Sequence, residues 1–243
     1  MNDKELLEKR LSELYRRAYE RGFNTFSDFL NMDEQSTAAK LALPCLSFGG
    51  YENAERIVIG FGDSIENSDF PICCIKIEPL QQKFADKLTH RDFLGSLMNL
   101  GINRSTLGDI IINENSGYVF CLDSISDYII ENLTRVKHTS VKCEKISTEK
   151  ELKIKEPEEK EIIVSSLRAD AVISSVYKLS RNETAELFNK EMVFINSKAV
   201  GKASVMLKDN DIISVRHKGR FIFCEELRKT KKDRIVVEVK IYR

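Results

Sequence analysis

The sequence predicts an α+β protein of several small domains: an N-terminal α/β subdomain over residues 1–69, a β-α-β-β-α-β middle domain over 70–147, a charged linker at 148–163 and a C-terminal domain over 164–243. Three observations carry that expectation. Helix-period apolar patterns alternate with short strand-like runs along all 243 residues, and 42% of the residues are hydrophobic, enough to build cores. Residues 149–161 hold ten charged side chains in thirteen positions, with Pro157 among them, a composition that reads as a linker or an exposed strand because it cannot bury a core. The charge also changes sign along the chain. Residues 1–160 carry 21 Lys and Arg against 27 Asp and Glu, whereas residues 161–243 carry 17 against 11.

The elements follow in order. Asn2 and Glu5 stand where a helix cap and its returning carboxylate would be. Leu7, Leu11, Leu14 and Ala18 then repeat at helical spacing, and Gly22 ends the helix. Phe23, Phe26, Phe29 and Leu30 are expected core anchors, a second helix covers residues 32–41, and residues 42–48 and 55–61 are strand-like. In the middle segment, residues 72–77 form a strand. Thr89 opens a helix with Phe93, Leu94, Leu97 and Met98 on one face and Gly101 as its stop. Residues 109–113 and 118–122 are strands around a turn at 115–117, Ser124 or Ser126 caps a helix to Leu133, and residues 137–145 form the last strand. That order is the split βαβ arrangement of ferredoxin-like and RNA-recognition folds. In the C-terminal segment, a helix over residues 167–179 carries Val172, Val176 and Leu179 on one face. Ser180 and Glu183 form a capping box for a second helix to about Lys190, with Ala185, Phe188 and Met192 on its apolar side. A tight hairpin turns at Asn196-Ser197. A strand over 212–215 continues through 216–220, and a last strand spans 235–241.

Composition excludes several classes. No apolar run approaches the ~18–20 residues of a membrane span. The charged residues 1–5 contain no apolar signal region, which points to a cytoplasmic protein without a membrane partner. The six cysteines (45, 73, 74, 121, 143 and 224) include no CxxC pair and no histidine at ligand spacing, so they read as free thiols in a reducing compartment. No cofactor, metal or small-molecule substrate is expected. His90-Arg91-Asp92 imitates a kinase catalytic loop, but no glycine-rich phosphate loop or metal-binding DFG accompanies it, and Thr89 and Asp92 suit a helix-capping pair. Gly60-Phe61-Gly62 lacks the third glycine of a dinucleotide loop.

The basic residues of the last segment carry the chemistry. Arg168, Arg181, Lys190, Lys198, Arg216, Lys218 and Arg220 fall at helix ends, a hairpin tip and alternate positions of a strand, where 216, 218 and 220 would share one face. Ser180 and the first-turn amides of its helix add an anion site, and Asn196 lies at the hairpin tip. Together they suit a polyanion such as RNA.

These residues resemble a known family. Ser166-Leu167-Arg168-Ala169-Asp170, Leu179-Ser180-Arg181, Val193-Phe194-Ile195-Asn196 and the run from Lys208-Asp209-Asn210-Asp211 to Val215 look like the RNA-binding domain of ribosomal protein S-four, the alpha-L motif, over about residues 165–225. Lys190-Glu191 departs from it, since the family often has glycine before the strand. Toward the front, Gly49-Gly50-Tyr51-Glu52-Asn53-Ala54-Glu55-Arg56, the stretch from Leu88-Thr89-His90-Arg91-Asp92 to Gly101-Ile102-Asn103-Arg104, and Gly108-Asp109-Ile110 are similar to the YlmH family of bacterial RNA-binding proteins. The resemblance implies a cytoplasmic, ribosome-associated factor, in some members acting on stalled large ribosomal subunits in protein quality control. It also implies an RNA-recognition-like middle domain and an S-four-like C-terminal domain.

The expected function is therefore non-enzymatic binding of structured RNA, ribosomal RNA of the large subunit with transfer RNA nearby. The site comprises the nine C-terminal residues Arg168, Ser180, Arg181, Lys190, Asn196, Lys198, Arg216, Lys218 and Arg220, with a secondary contact at His90, Arg91 and Arg104. Tyr118 and Phe120 share one face of a middle-domain strand, as either base-stacking platform or core. Two other classes compete. An RNA-modifying enzyme is one, since this RNA-binding domain accompanies catalytic domains such as pseudouridine synthases, although no nucleophile and base form a recognisable constellation. A protein–protein adaptor using the acidic front half is the other.

Overall fold

The computed structural model describes residues 2–81, 87–147, 152 and 157–242, and the chain divides into two compact units, residues 1–154 and 155–243. The protein is α+β throughout.

The first unit opens with helix α1 (Asp3–Arg21). Asn2 Oδ1 accepts the Glu5 amide at 2.8 Å, the Glu5 carboxylate accepts the Asn2 amide at 3.2 Å, and Gly22 closes the helix at φ 67°. Helix α2 (Met32–Lys40) starts from a second capping box, Asn31 with Glu34. Strands β1 (Thr25–Phe26), β2 (Leu46–Phe48) and β3 (Val58–Phe61) pair antiparallel in the order β1-β3-β2. Side chains alternate along β3, and both of its faces are covered. Ile59 and Phe61 pack with Leu11, Ala18 and Leu30, while Val58 joins Phe29, Phe70 and Phe120.

A five-stranded antiparallel sheet follows. Its strands are β4 (Ile72–Pro79), β5 (Leu107–Asn113), β6 (Ser116–Leu122), β7 (Arg135–Val136) and β8 (Thr139–Ile146), in the order β5-β6-β4-β8-β7. Helices α3 (His90–Asn99) and α4 (Asp123–Asn132) cover one face, where Phe93, Leu97 and Ile129 meet Ile75, Val119 and Cys121. The other face, with Cys74, Tyr118 and Phe120, is covered by Phe29, Val58 and Phe70 from the first seventy residues. Position 69/70 therefore divides no core: the aromatics on either side of it pack in one cluster. For the same reason Tyr118 and Phe120 are core residues, 7% and 0% exposed, and offer bases no platform.

The second unit is a six-stranded antiparallel sheet in the order β11-β10-β12-β13-β14-β9. Its strands are β9 (Glu158–Val164), β10 (Val193–Ile195), β11 (Lys198–Ala199), β12 (Asp211–Val215), β13 (Gly219–Lys229) and β14 (Ile235–Tyr242). Helices α5 (Ala169–Tyr177) and α6 (Arg181–Asn189) pack Val172, Ile173 and Phe188 on Ile213, Val215, Phe221, Phe223 and Val237.

Several expectations need correction. Of the stretch read as a linker or an exposed strand, the structure has strand from residue 158 on, an edge strand through Val164 in which Ile162 and Val164 reach the core while their charged neighbours stay solvated, so the linker does not extend to 163; residues 148–151 and 153–156 lie outside the described residues. Neither Ser124 nor Ser126 caps α4. Its cap is Leu122, and Ser126 is buried, donating to Asp123 O at 2.9 Å. Residues 42–45 are not strand, since Ala42 takes φ 50° and Pro44 donates no amide hydrogen bond. Lys137, at φ 56°, turns a hairpin between β7 and β8 instead of opening a strand. Phe23, Met98 and Ala185 face solvent.

Glu191 holds φ 52° between α6 and β10, at the place where the resemblance carries glycine. A non-glycine residue in that conformation costs ~1–2 kcal/mol, partly offset by the extra unfolded-state entropy of glycine. Glu191→Gly should raise stability by up to ~1 kcal/mol in urea melts.

Candidate nucleic-acid interface

The C-terminal cations sit on separate elements of the second unit. Arg168 caps α5 and lies flat against Asp170, with Nε–Oδ1 at 3.1 Å and Nη2–Oδ2 at 2.6 Å, a contact that holds its guanidinium pKa above the ordinary value. Ser180 caps α6 in a closed box. Its Oγ accepts the Glu183 amide at 3.3 Å, and the Glu183 carboxylate accepts the Ser180 amide at 2.8 Å. The Glu183 carboxylate thus takes up the Ser180 amide at this helix start, and that backbone hydrogen bond keeps Glu183 below its usual pKa.

Arg181, the first residue of α6, is exposed. Among the described residues Arg181, Lys198 and Lys218 make no ion pair. Lys190 ends α6 and reaches back to Glu186 at 2.9 Å. Lys190 and Lys218 line one open cleft with Glu183, Glu186, Leu187 and Met192, so the end of α6 and the β12–β13 turn converge there.

Arg216, Lys218 and Arg220 do not alternate along a strand. Strand β12 ends at Val215, residues 216–218 turn, and β13 starts at Gly219. His217 at φ 63° and Gly219 at φ 119° make this reversal, and the Lys218 amide donates to Val215 O at 3.0 Å. Arg216 lies over the Phe194 ring, 5.9 Å from its centroid. Arg220 Nε donates to Ser214 Oγ at 3.0 Å. Phe194, Ser214 and Arg220 are register neighbours across β10, β12 and β13, on the sheet face opposite the helices.

Asn196 serves the hairpin. With Ser197 it supplies the two left-handed residues of the turn, at φ 48° and 62°. Its Nδ2 donates to Asp211 Oδ1 at 2.8 Å and its Oδ1 accepts the Ile212 amide at 2.9 Å, so both ends of its amide are engaged.

In the first unit, residues 49–56 and 104–109 close on each other. Asp109 Oδ2 accepts Tyr51 OH at 2.7 Å and the Glu55 amide at 2.6 Å, and its Oδ1 accepts the Arg56 amide at 3.1 Å. Arg56 donates to Leu107 O at 2.9 Å and Phe29 O at 3.0 Å, and Arg104 to Leu107 O at 2.6 Å. Burial, with Arg56 nearby, lowers the Arg104 pKa to about 10. Tyr51 also stacks on Phe120, centroids 4.9 Å apart. Two glycines make the fit possible. A Cβ on Gly50, itself at φ 96°, would fall 2.3 Å from the Phe120 ring, and one on Gly108 would fall 2.7 Å from Phe29. Arg104 is therefore a tether. His90 stands nearby at the start of α3, its pKa lowered by burial and then by Arg104, and Arg91 is exposed beside it. Thr89 and Asp92 do cap α3, with the Thr89 amide 2.8 Å from Asp92 Oδ2. Sequence reasoning passed over Tyr51, Arg56 and Asp109 as a set; their only signal was that each lies in a stretch carrying the family resemblance.

Among the described residues no group of three or more His, Cys, Asp or Glu side chains could hold a metal ion, and no helix is long and apolar enough to cross a membrane. The second of the two α+β units carries solvent-facing cations at Arg181, Lys198 and Lys218. Comparison with known proteins gives the family. The family model described as the putative RNA-binding domain in YlmH matches residues 66–150. Ribosome-associated protein quality control protein P2 of Bacillus subtilis (strain 168) is 33% identical over 219 residues, covering 86% of this chain and 83% of that protein. The solved structure of cell division protein ylmH from Streptococcus pneumoniae superposes with a TM-score of 0.50 at 20% identity, over 63% of this chain and 96% of that one, a likeness of fold. The chain belongs to the YlmH family.

Proposed function

We propose that this protein binds RNA and associates with the ribosome, gripping ribosomal RNA of the large subunit beside transfer RNA in the quality control of stalled translation, in the cytoplasm and without catalysing a reaction. The observation that carries this reading is the 33% identity, across most of both chains, with a ribosome-associated quality control protein. The matching family model, described as a putative RNA-binding domain, supports it. In this reading residues 70–147 act as an RNA-recognition-like domain whose sheet is occupied by its own chain. The second unit acts as an S-four-like domain: α5, α6, the β10–β11 hairpin and β12 run in the order of the motif, with Arg181, Lys198 and Lys218 turned to solvent.

Sedimentation of the full chain on ribosome gradients tests it. The protein should travel with the large subunit and return to the top of the gradient after RNase. A chain that stays at the top in both runs overturns the proposal. Incubation with transfer and ribosomal RNA should leave every nucleoside mass unchanged.

The cations give a finer test. Arg181→Ala with Lys218→Ala should weaken RNA binding ~10-fold or more, since charge-assisted contacts to phosphate are the strong ones. The dependence of log K on log salt should flatten by ~0.7–0.9 per lost contact. Arg228→Ala is the control, because Glu161 already holds that guanidinium at 2.7 Å. Equal losses in both variants would mean a diffuse basic surface.

A further inference from the structure

Cys73 on β4 and Cys121 on β6 are direct register partners. Their Sγ atoms lie 3.6 Å apart on the sheet face that meets α4. The Asp123 amide donates to Pro71 O at 2.9 Å, so residues 71 and 123 are a hydrogen-bonded pair. Two positions further in, 73 and 121 are a pair of the same kind, with Cα atoms ~5.5 Å apart. That distance lies inside the ~4.4–6.8 Å span of disulfides. Closing the bond needs side-chain rotation and a small approach of two strands already in register.

The thiols differ in access and in charge. Cys121 is fully buried, whereas Cys73 keeps 7% exposure near the start of β4, at the edge of an open cleft. The contact with Cys121 holds the Cys73 thiol below its ordinary pKa against the effect of burial, with the Lys145 ammonium assisting and Asp123 opposing. Cys121 is pushed up by the same contact and by burial. Cys73, the less buried of the two, is the thiol that meets an oxidant first, and Cys121, with its Sγ 3.6 Å away, stands where a resolving thiol must stand.

We propose that Cys73 and Cys121 are a modification site, forming a reversible intramolecular disulfide on reaction with a peroxide. The Cys73 thiolate attacks one peroxide oxygen; the O–O bond breaks, hydroxide leaves, takes up a proton and becomes water, and Cys73 carries a sulfenic acid. The Cys121 sulfur then attacks the Cys73 sulfur, the S–O bond breaks, and a second water leaves with the Cys121 proton. Two thiols and one hydrogen peroxide thus give one disulfide and two waters. Hydrogen-bonded pairs hold their side chains further apart than the alternate pairs, so the bond is strained and open to reduction by dithiols. It would link the central strand of the sheet, β4, to its neighbour β6, both within the stretch matched by the family model.

The test uses the full chain carrying Cys45→Ser, which removes the exposed thiol and leaves the core untouched. After hydrogen peroxide treatment intact mass should fall by two hydrogens; on unfolding and alkylation Cys73 and Cys121 should carry no adduct, peptide mapping should recover a 73–121 link, and dithiothreitol should restore both thiols. In the unsubstituted chain the link should form at peroxide levels that also oxidise Cys45. Alkylation of both thiols after unfolding, at peroxide sufficient to oxidise Cys45, overturns the proposal. So does a link through any other cysteine, or a sulfinic acid at Cys73 with Cys121 still free.

Discussion

Truncating Phe120 to alanine lowers the stability of the first unit by ~3–5 kcal/mol, the range for deleting a buried aromatic ring. The ring is fully buried on the sheet face away from α3 and α4, among Phe29, Val58 and Phe70, with Tyr51 tilted across it and the Gly50 backbone against its edge. Chain from both sides of position 70 closes on this ring, so the void cannot collapse by moving one loop. Urea melts of the full chain should show the first unit's midpoint falling with little change in slope. Phe120→Leu, which keeps most of the volume, should cost under half as much. RNA affinity, measured where the variant is still folded, should not change, because a core ring touches no base. Lost RNA binding at full stability would return Phe120 to the role of a stacking platform.

Asp109→Ala is the second large effect. The carboxylate accepts three hydrogen bonds, from Tyr51 OH and the Glu55 and Arg56 amides, across more than fifty residues of sequence. Removing it leaves those donors to find water at a half-buried junction. A loss of ~2–4 kcal/mol is expected, below the sum of three charge-assisted bonds because the site is partly solvated. Tyr51→Phe should cost only ~1 kcal/mol, since one bond goes and the ring still packs on Phe120. Hydrogen exchange gives the sharper readout. In Asp109→Ala the Glu55 and Arg56 amides should lose protection well before the β4–β6 ladder does. Unchanged protection at those two amides would mean that Arg56, through Phe29 O and Leu107 O, holds the junction alone.

The two variants also mark where sequence reading works and where it stops. Asn2 with Glu5, Thr89 with Asp92, and Ser180 with Glu183 were legible as helix starts because a capping box joins residues three apart, and the structure closes all three. The Asn196-Ser197 hairpin was legible for the same reason, since two residues with positive φ define the turn. Strand β13 was not. Its outer half, Cys224-Glu225-Glu226-Leu227-Arg228-Lys229, has no clean alternation, and two register irregularities against β14 disturb what period there is. Arg216, Lys218 and Arg220 were misassigned to one strand face because alternation alone cannot reveal that His217 and Gly219 reverse the chain between them.

The candidate site divides along the same line. The identity of the exposed cations was plain in a chain whose last 83 residues are basic. Their partners were not: Asp170 beside Arg168, Glu183 closing the α6 start, and Asp211 and Ile212 engaging Asn196 emerge only once side chains have directions. The sequence by itself determined the α+β class, the three capping-box helix starts, the hairpin and the family, all properties of residues within a few positions of one another or of runs held in common with relatives. Only the tertiary structure decided that residues 1–69 cover the middle sheet, that Asp109 fastens them there, and that Cys73 faces Cys121. The Asp109 and Cys73 contacts join positions forty-eight or more apart, and no local propensity carries that information; it is set by which apolar faces remain to be buried when the elements meet.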